Sequence, residues 1–551
     1  MGRMAVERTR HDDRAQGDGD GLEVVAALKR SGRRLGLLGP PPPRQLTLFD
    51  LPASTDGKGA RGALAGSLSP YWSSAPDSRP VAPDGSARLL LAMAILIYVW
   101  IFSYWTMRNH DGFATWAFDL GIYDQGLWLL SRFKSPFITI MGRNLFGDHT
   151  SFILLPLAPF YWVFPSAKVI LFAQAAALGG AALPAFLLAR EKLRHELLAL
   201  GIAVAYLLQP AVGYANFEQF HPDVFEVPLA LFAFWFMVKK RWVGYFVCVG
   251  GLLLVKEDVG LLTCALGVYV ALKHDRRVGL TTIGISVLYF AAAFWWILPA
   301  LNGVGTLNQW RIPFGGPSGV VRTAILEPGK LLSYLTSDGR PWYVWQLLAP
   351  MGLLAVLAPS VALIAIGPMA SNVLSTFWYQ YHIQYHYTTL IVPVVVVATI
   401  FAIAKARSMA VRTALVSAVV GCSLVTAYVW GPTTFSSKPA GVVDPSYPTF
   451  ANLRAAIKLV PRSAVVSSHY AFVPHLDHRE RIYMFPTPFK AAYWGTFRQE
   501  GQRLPEADSV EYVIVPKDVD ADQEAAMEAV RRDFRVIYDA PNVLVFKRVA
   551  S

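Results

Sequence analysis

Two aspartates five positions apart, Asp119 and Asp124, sit in the apolar stretch AFDLGIYDQGLWLL, directly after a run long enough to cross a membrane. A carboxylate in such surroundings is costly unless it has a partner, a task or a water boundary. An ionised aspartate there can take a proton from an attacking hydroxyl. If 117–130 is one helix, Asp119 shares a face with Tyr123, and Asp124 points roughly 140° away. The two acids are therefore not expected to work side by side. One would face a cavity and the other would tie down a helix. The alternative is an interfacial helix anchored by Trp116, Tyr123 and Trp128.

Four further segments carry groups of the same kind. In GDHTS, Asp148 or Thr150 suits a helix cap, and His149 suits a cavity. NFEQFHPDVFEVP holds Glu218, His221, Asp223 and Glu226. Pro222 breaks the chain there, Asp223 can cap the helix that follows, and Glu226 lies a turn inside an apolar helix. His221 and Glu218 have chemistry for a phosphate partner or a metal, although their spacing matches no metal motif. In LLLVKEDVGLL, Lys256, Glu257 and Asp258 fit either a solvated turn or a lysine for a phosphate. In YQYHIQYHY, His382 and His386 fall on one face if the segment is helical. Without the glutamate of the zinc-protease helix, this HxxxH also fits packing at the interface. No motif fixes a cofactor; a divalent metal stays open. P-loop, dinucleotide-fold and nucleophile-elbow signatures are absent.

These groups must be held by the rest of the chain. Of 551 residues, 54% are hydrophobic and only 16% charged, which departs from a soluble domain. Apolar runs recur from Leu89 to Trp430, with about eleven transmembrane helices beginning near Arg88, Lys168, Leu197, Val224, Val243, Val259, Val278, Trp342, Ser360, Tyr387 and Thr413. The reading is a polytopic α-helical membrane protein. FILLPLAPFYWVF, with Pro156 and Pro159, is expected to lie on the surface or re-enter. Residues 1–86, rich in Arg, Asp, Gly, Pro and Ser, read as a disordered tail. Residues 87–432 form the membrane core, with a first loop at 108–150. Residues 440–551 form a small soluble α/β domain, with strands at SAVVSS, RIYMF and VEYVIVP and a helix at DQEAAMEAVRRDF. Cys248, Cys264 and Cys422 all lie in apolar runs and make no disulfide framework.

The connections REKLRHE, KKRW, KHDRR and KARSMAVR are short and basic, hence cytoplasmic. The N-terminus is then cytoplasmic, and the acidic segments and the C-terminal domain are extracytoplasmic. The net charge of +12 resides in these flanks and does not argue for nucleic acid.

FDLGIYDQGLW, GDHTSFILLPLAPFYWVFP, FHPDVFEVPLA and VVSSHYAFVPHLDHRERIYMFP together resemble a family of predicted bacterial membrane proteins with a domain of unknown function. That family is similar to the C-type (GT-C) glycosyltransferase superfamily. The resemblance implies a bacterial plasma-membrane enzyme moving a sugar from a polyprenyl-phosphate donor to an envelope glycan, lipid or protein acceptor, with inversion. It makes Asp124 the first choice for the loop-one acid and Asp119 the second. Gln125 stands where many members carry a second acid. Lys256, Arg311 and Arg340 are candidates for neutralising the lipid phosphate. A transporter or flippase, marked by charge along a conduction path, and a non-catalytic scaffold are the competing readings. No clear internal repeat favours the transporter. The basic connections predict that a reporter fused after Ser551 is active only outside the cytoplasm; activity inside would invert the whole topology.

Overall fold

The computed structural model describes residues 83–306, 308–496 and 500–549. The tail assigned to 1–86 therefore lies almost wholly outside the described residues. Helix α1 (Gly85–Asp111) begins where Asp84 accepts from the backbone N–H of Ser86 and Ala87, a side-chain cap for otherwise orphaned donors.

After α1 comes a long first loop. It contains a π-turn at Ala117–Gly121, helix α2 (Ile122–Ser131) and a two-stranded ribbon of β1 (Phe137–Ile138) and β2 (Arg143–Asn144). The membrane bundle follows with α3 (Lys168–Gly180), α4 (Ala182–Leu193), α5 (Glu196–Leu207), α6 (Pro210–Phe217), α7 (Glu226–Val238), α8 (Trp242–Leu253), α9 (Gly260–Lys273) and α10 (Arg276–Ala292). Short helices lead to α11 (Ile391–Ala404) and α12 (Met409–Trp430).

Among the described residues, five continuous helical segments are long and apolar enough to span a bilayer: Gly85–Asp111, Lys168–Leu193, Arg276–Asn302, His386–Ala404 and Met409–Trp430. The pair α5 and α6 makes a sixth if its 46° bend counts as one span. The bend falls at Pro210, which cannot continue the backbone ladder. The apolar runs beginning near Val224, Val243 and Val259 form helices of only 13, 12 and 14 residues, shorter than the roughly 20 that cross hydrocarbon. Around Trp342 and Ser360 the chain breaks into short turns, with Gly352 in the left-handed region. The segment with Pro156 and Pro159 forms a short apolar helix, Phe152–Val163.

The C-terminal region builds a five-stranded mixed sheet in the order β4-β3-β5-β7-β6, from β3 (Val466–Ser468), β4 (Ile482–Met484), β5 (Tyr512–Val515), β6 (Phe534–Ala540) and β7 (Val543–Arg548). β3 pairs in parallel with β4 and β5, while β7 pairs antiparallel with β5 and β6. Helices α13 (Pro448–Lys458) and α14 (Ala521–Asp533) accompany it.

The sheet has a core of its own, where Tyr483, Val513, Val515 and Phe546 are buried with Met527 and Val530 of α14, and it shares a second core with the first loop. Leu120, Leu127, Ile138 and Ile140 of the first loop are buried with Val466, Val473, Ile482 and Ile514 in one cluster. Thr139 stitches the seam: its hydroxyl donates to the carbonyl of Ile482 at 2.7 Å and accepts from the Ile482 N–H at 2.9 Å. At the other end of the bundle, buried Glu196 is held by Arg88 at 2.7 Å and Arg190 at 2.6 Å.

Helices α9 and α10 pack through small residues. A Cβ at Gly279 would lie 2.2 Å from the Ala271 nitrogen, whereas one at Gly284 would meet nothing within 4 Å. Gly279→Val should therefore destabilise the bundle by about 1–3 kcal/mol, as overpacking does. Thermal unfolding in detergent should show a lowered Tm for that variant and none for Gly284→Val. Equal behaviour of the two would refute the close crossing.

Candidate active site

The site is built from turns. Asp119 lies in the π-turn that opens α2, just after Phe118, whose φ −97° and ψ 113° are not helical. Its Oδ2 stands 2.7 Å from Nε2 of His221, and the aspartate side chain is 36% exposed while the imidazole is buried. The other ring nitrogen of His221, Nδ1, lies 2.9 Å from the Gln219 carbonyl. Both ring nitrogens thus face acceptors, and only the imidazolium can donate to both. Burial works to lower the His221 pKa, but Asp119 and Glu218 outweigh it and raise it to about 9. Burial likewise works to raise Asp119, and the His221 cation holds it below the ordinary carboxylate value.

His386 stacks on His221 with ring centroids 3.6 Å apart. Glu218 Oε2 accepts from the His386 backbone N–H at 2.5 Å and lies 3.2 Å from its Nδ1. The side-chain amide oxygen of Gln174 accepts the His221 backbone N–H. Next to this group, Lys256 donates to Asp223 at 3.2 Å, with both side chains buried. Burial would raise Asp223, and Lys256 drives it below its ordinary value instead. His149 meets Glu257 at 2.7 Å, and Glu257 also accepts the Thr150 N–H. Burial opposes ionisation of Glu257, and His149 still brings it down to about 2. Asp223, Glu226, Lys256, Asp258 and Tyr387 line a cavity of about 20 Å³, room for one water. Thr389 donates to Glu226 at its edge, at 2.7 Å.

The structure thus gathers Asp119, Glu218, His221 and His386 in one cluster, with Lys256 and Glu226 lining the cavity beside it and His149 joined to Glu257. Three sequence candidates stand differently. Arg340 is buried and donates to the carbonyls of Val373 and Ser375 and to Asp338. Arg311 lies 4.3 Å over the Phe377 ring and 3.5 Å from the Tyr387 hydroxyl. His382 packs edge-on to Trp378. The segment is not a continuous helix: two short turns, Trp378–Tyr381 and His386–Thr388, flank irregular backbone, so His382 and His386 do not share a helical face.

Asp124 goes elsewhere. It is 1% exposed, accepts from the Tyr161 hydroxyl at 2.6 Å, and faces His478 at 3.1 Å. Asp477 joins it; burial and the neighbouring Asp124 push the Asp477 carboxyl well above its usual range. Gln125 donates to Thr139 and to the Arg479 carbonyl, binding the first loop to the sheet region. Asp477 and His478 carried no signal of their own in the sequence, since a short polar run in a soluble domain is ordinary surface.

A multi-pass helical membrane protein with a polar cluster in the turns at one end of its bundle defines the class. Residues 109–545 match the DUF2079 family of predicted membrane proteins, and the chain belongs to that family. No curated protein sequence matches it. Among solved structures it is similar to ArnT from Cupriavidus metallidurans bound to undecaprenyl phosphate, with TM-score 0.50 and 14% identity over 85% of this chain and 99% of that one. The apo state of the same protein gives TM-score 0.51 and 14% identity over 84% and 98%. The likeness is one of fold.

The pair Asp119–His221 generates a pH dependence. The folded-state value of His221, about 9, lies above the ordinary value of about 6.5. Its contribution to stability is therefore complete below about pH 6.5 and is lost as pH rises through about 9. Thermal unfolding across that window should show a falling Tm, and Asp119→Asn should flatten the fall. An identical slope in the variant would mean that His221 is neutral.

Proposed function

We propose that this protein transfers a sugar from a polyprenyl-phosphate donor to an envelope acceptor at the extracytoplasmic membrane face, with Asp119 as the base. The observation that carries this reading is the Asp119 carboxylate: part-exposed, ionised, and fixed by a buried imidazolium. The acceptor hydroxyl attacks the anomeric carbon and gives its proton to Asp119. The bond from that carbon to the phosphate oxygen breaks, and its electron pair leaves with the polyprenyl phosphate. His221 weakens Asp119 as a base. A weak base suffices when the proton is lost late, after the attacking oxygen has gained positive charge.

Arg311 is the candidate for neutralising the phosphate, since its charge rests on aromatic faces and a hydroxyl and, among the described residues, on no carboxylate. Lys256 supports the field at the site through its bond to Asp223. Support for the lipid class comes from ArnT, whose structure holds undecaprenyl phosphate. Support for an enzyme over a transporter comes from placement: Asp119, His149, His221, Asp223, Lys256 and Glu257 lie in the turns joining helices, whereas a conduction path needs charge along the spans.

This reading places Asp119 ahead of Asp124. Asp119→Asn should lower transfer by about 10²–10⁴-fold at normal membrane abundance, read as accumulated lipid-linked sugar and depleted envelope glycan by mass spectrometry. His221→Gln should lower it less, because it repositions the base without removing it. Full activity of Asp119→Asn would end the proposal.

A further inference from the structure

The group around Asp124 has no part in that transfer, and its chemistry points elsewhere. Asp124 and Asp477 are each 1% exposed, and His478 completes a trio whose ligand atoms all lie within 4.8 Å of one another. Two carboxylates buried together repel unless a proton or a cation stands between them. Oδ2 of Asp477 is buried with no hydrogen-bond partner, and Nε2 of His478 lies 3.1 Å from Asp124 Oδ2 off the line of a hydrogen bond. The Tyr161 hydroxyl occupies only Oδ1 of Asp124, at 2.6 Å, which orients the carboxylate and leaves Oδ2 aimed at the other two groups.

We propose that Asp124, Asp477 and His478 bind a divalent cation of the zinc class, clamping the first loop to the sheet domain. Two carboxylate oxygens and one imidazole nitrogen suit zinc better than magnesium or calcium, which need more oxygen ligands. In a tetrahedral zinc site, ligand atoms stand about 3.4 Å apart; His478 Nε2 and Asp124 Oδ2 are 3.1 Å apart, and the whole trio lies within 4.8 Å. The fourth position takes water through the part-exposed side of His478. The other trio of possible ligands, Glu218, His221 and His386, is a poorer site. Both nitrogens of His221 face acceptors, so it offers a metal no lone pair.

The test is zinc content and thermal unfolding of the purified full-length chain in detergent, stripped with EDTA and titrated with zinc sulfate. Wild type should retain about one zinc per chain and gain several degrees in Tm. Asp477→Asn and His478→Gln should lose both, while Glu218→Gln keeps both. If a shared proton holds the carboxylates together instead, wild type takes up no zinc and Asp477→Asn is neutral or more stable, because the substitution removes the acid–acid contact. That result overturns the proposal, as does equal zinc content in wild type and Asp477→Asn. Zinc content is read without substrate, so it stands or falls apart from the transfer reaction.

Discussion

One apolar seam decides where the first loop and its Asp119 can stand: the joint core between that loop and the C-terminal sheet. Leu120, Leu127, Ile138 and Ile140 have no face of their own to bury against lipid or solvent, and Val466, Val473, Ile482 and Ile514 supply it. Full burial of each such side chain is worth about 1.5–3 kcal/mol, so the seam offsets the entropy of ordering a loop that an isolated bundle would leave loose. Thr139 and Gln125 fix its register with bonds to Ile482 and Arg479. Glycine is required where backbones meet: Gly142, at φ +67°, lies so close under Trp494 that a Cβ would be 2.4 Å from the ring.

The charged turns are constrained by a second rule. A buried charge left without its partner destabilises more than the pair stabilises. Asp223 with Lys256 and His149 with Glu257 join separate turns, and the Glu218 carboxylate ties a further one by accepting the His386 backbone N–H. Their geometry is therefore part of the fold as well as of the site. Such pairs hold the turns together with the buried apolar side chains Phe220, Val224, Val255 and Val259 beside them.

The carriers of charge were legible in the sequence because ionisable groups beside apolar runs need a reason. Asp119, His149, Glu218, His221, Glu226, Lys256, Glu257 and His386 could be picked out that way. Their pairings could not, because side chains that meet come from segments up to 168 positions apart. HxxxH periodicity failed at His382, where the backbone leaves the helix between two short turns. The apolar runs were visible, yet their lengths as helices were not. Hydropathy counts residues in turns as if they continued a span, and Pro210 and Gly352 interrupt it. SAVVSS, RIYMF and VEYVIVP did become β3, β4 and β5; these strands are buried on both faces, so their short β-branched and aromatic runs, and not a polar face, marked them. The fusion of that sheet with the first loop left no such mark: its apolar residues are ordinary core residues, and the partners of Thr139 and Gln125 lie more than 300 positions away.

That fusion bears on Asp119, the base of the proposed transfer. Asp119 and Asp124 are five residues apart, yet one meets His221 and the other His478. Helix α2 is pinned between them. A Cβ on Gly126 would press on Leu145 at 2.7 Å, and one on Gly121 would reach Val473 of the sheet region at 3.2 Å. With α2 held under the sheet, the turn at 117–121 has little freedom. The Ala117 N–H is itself bonded to the Tyr470 carbonyl. The direction of the Asp119 carboxylate is thus set from the C-terminal region, through backbone and packing, while the group it faces comes from the membrane bundle. A carboxylate held from one side and paired from the other stays aligned only while both remain docked. The C-terminal sheet, which among the described residues pairs no side chain with Asp119, is therefore a positioning element for it.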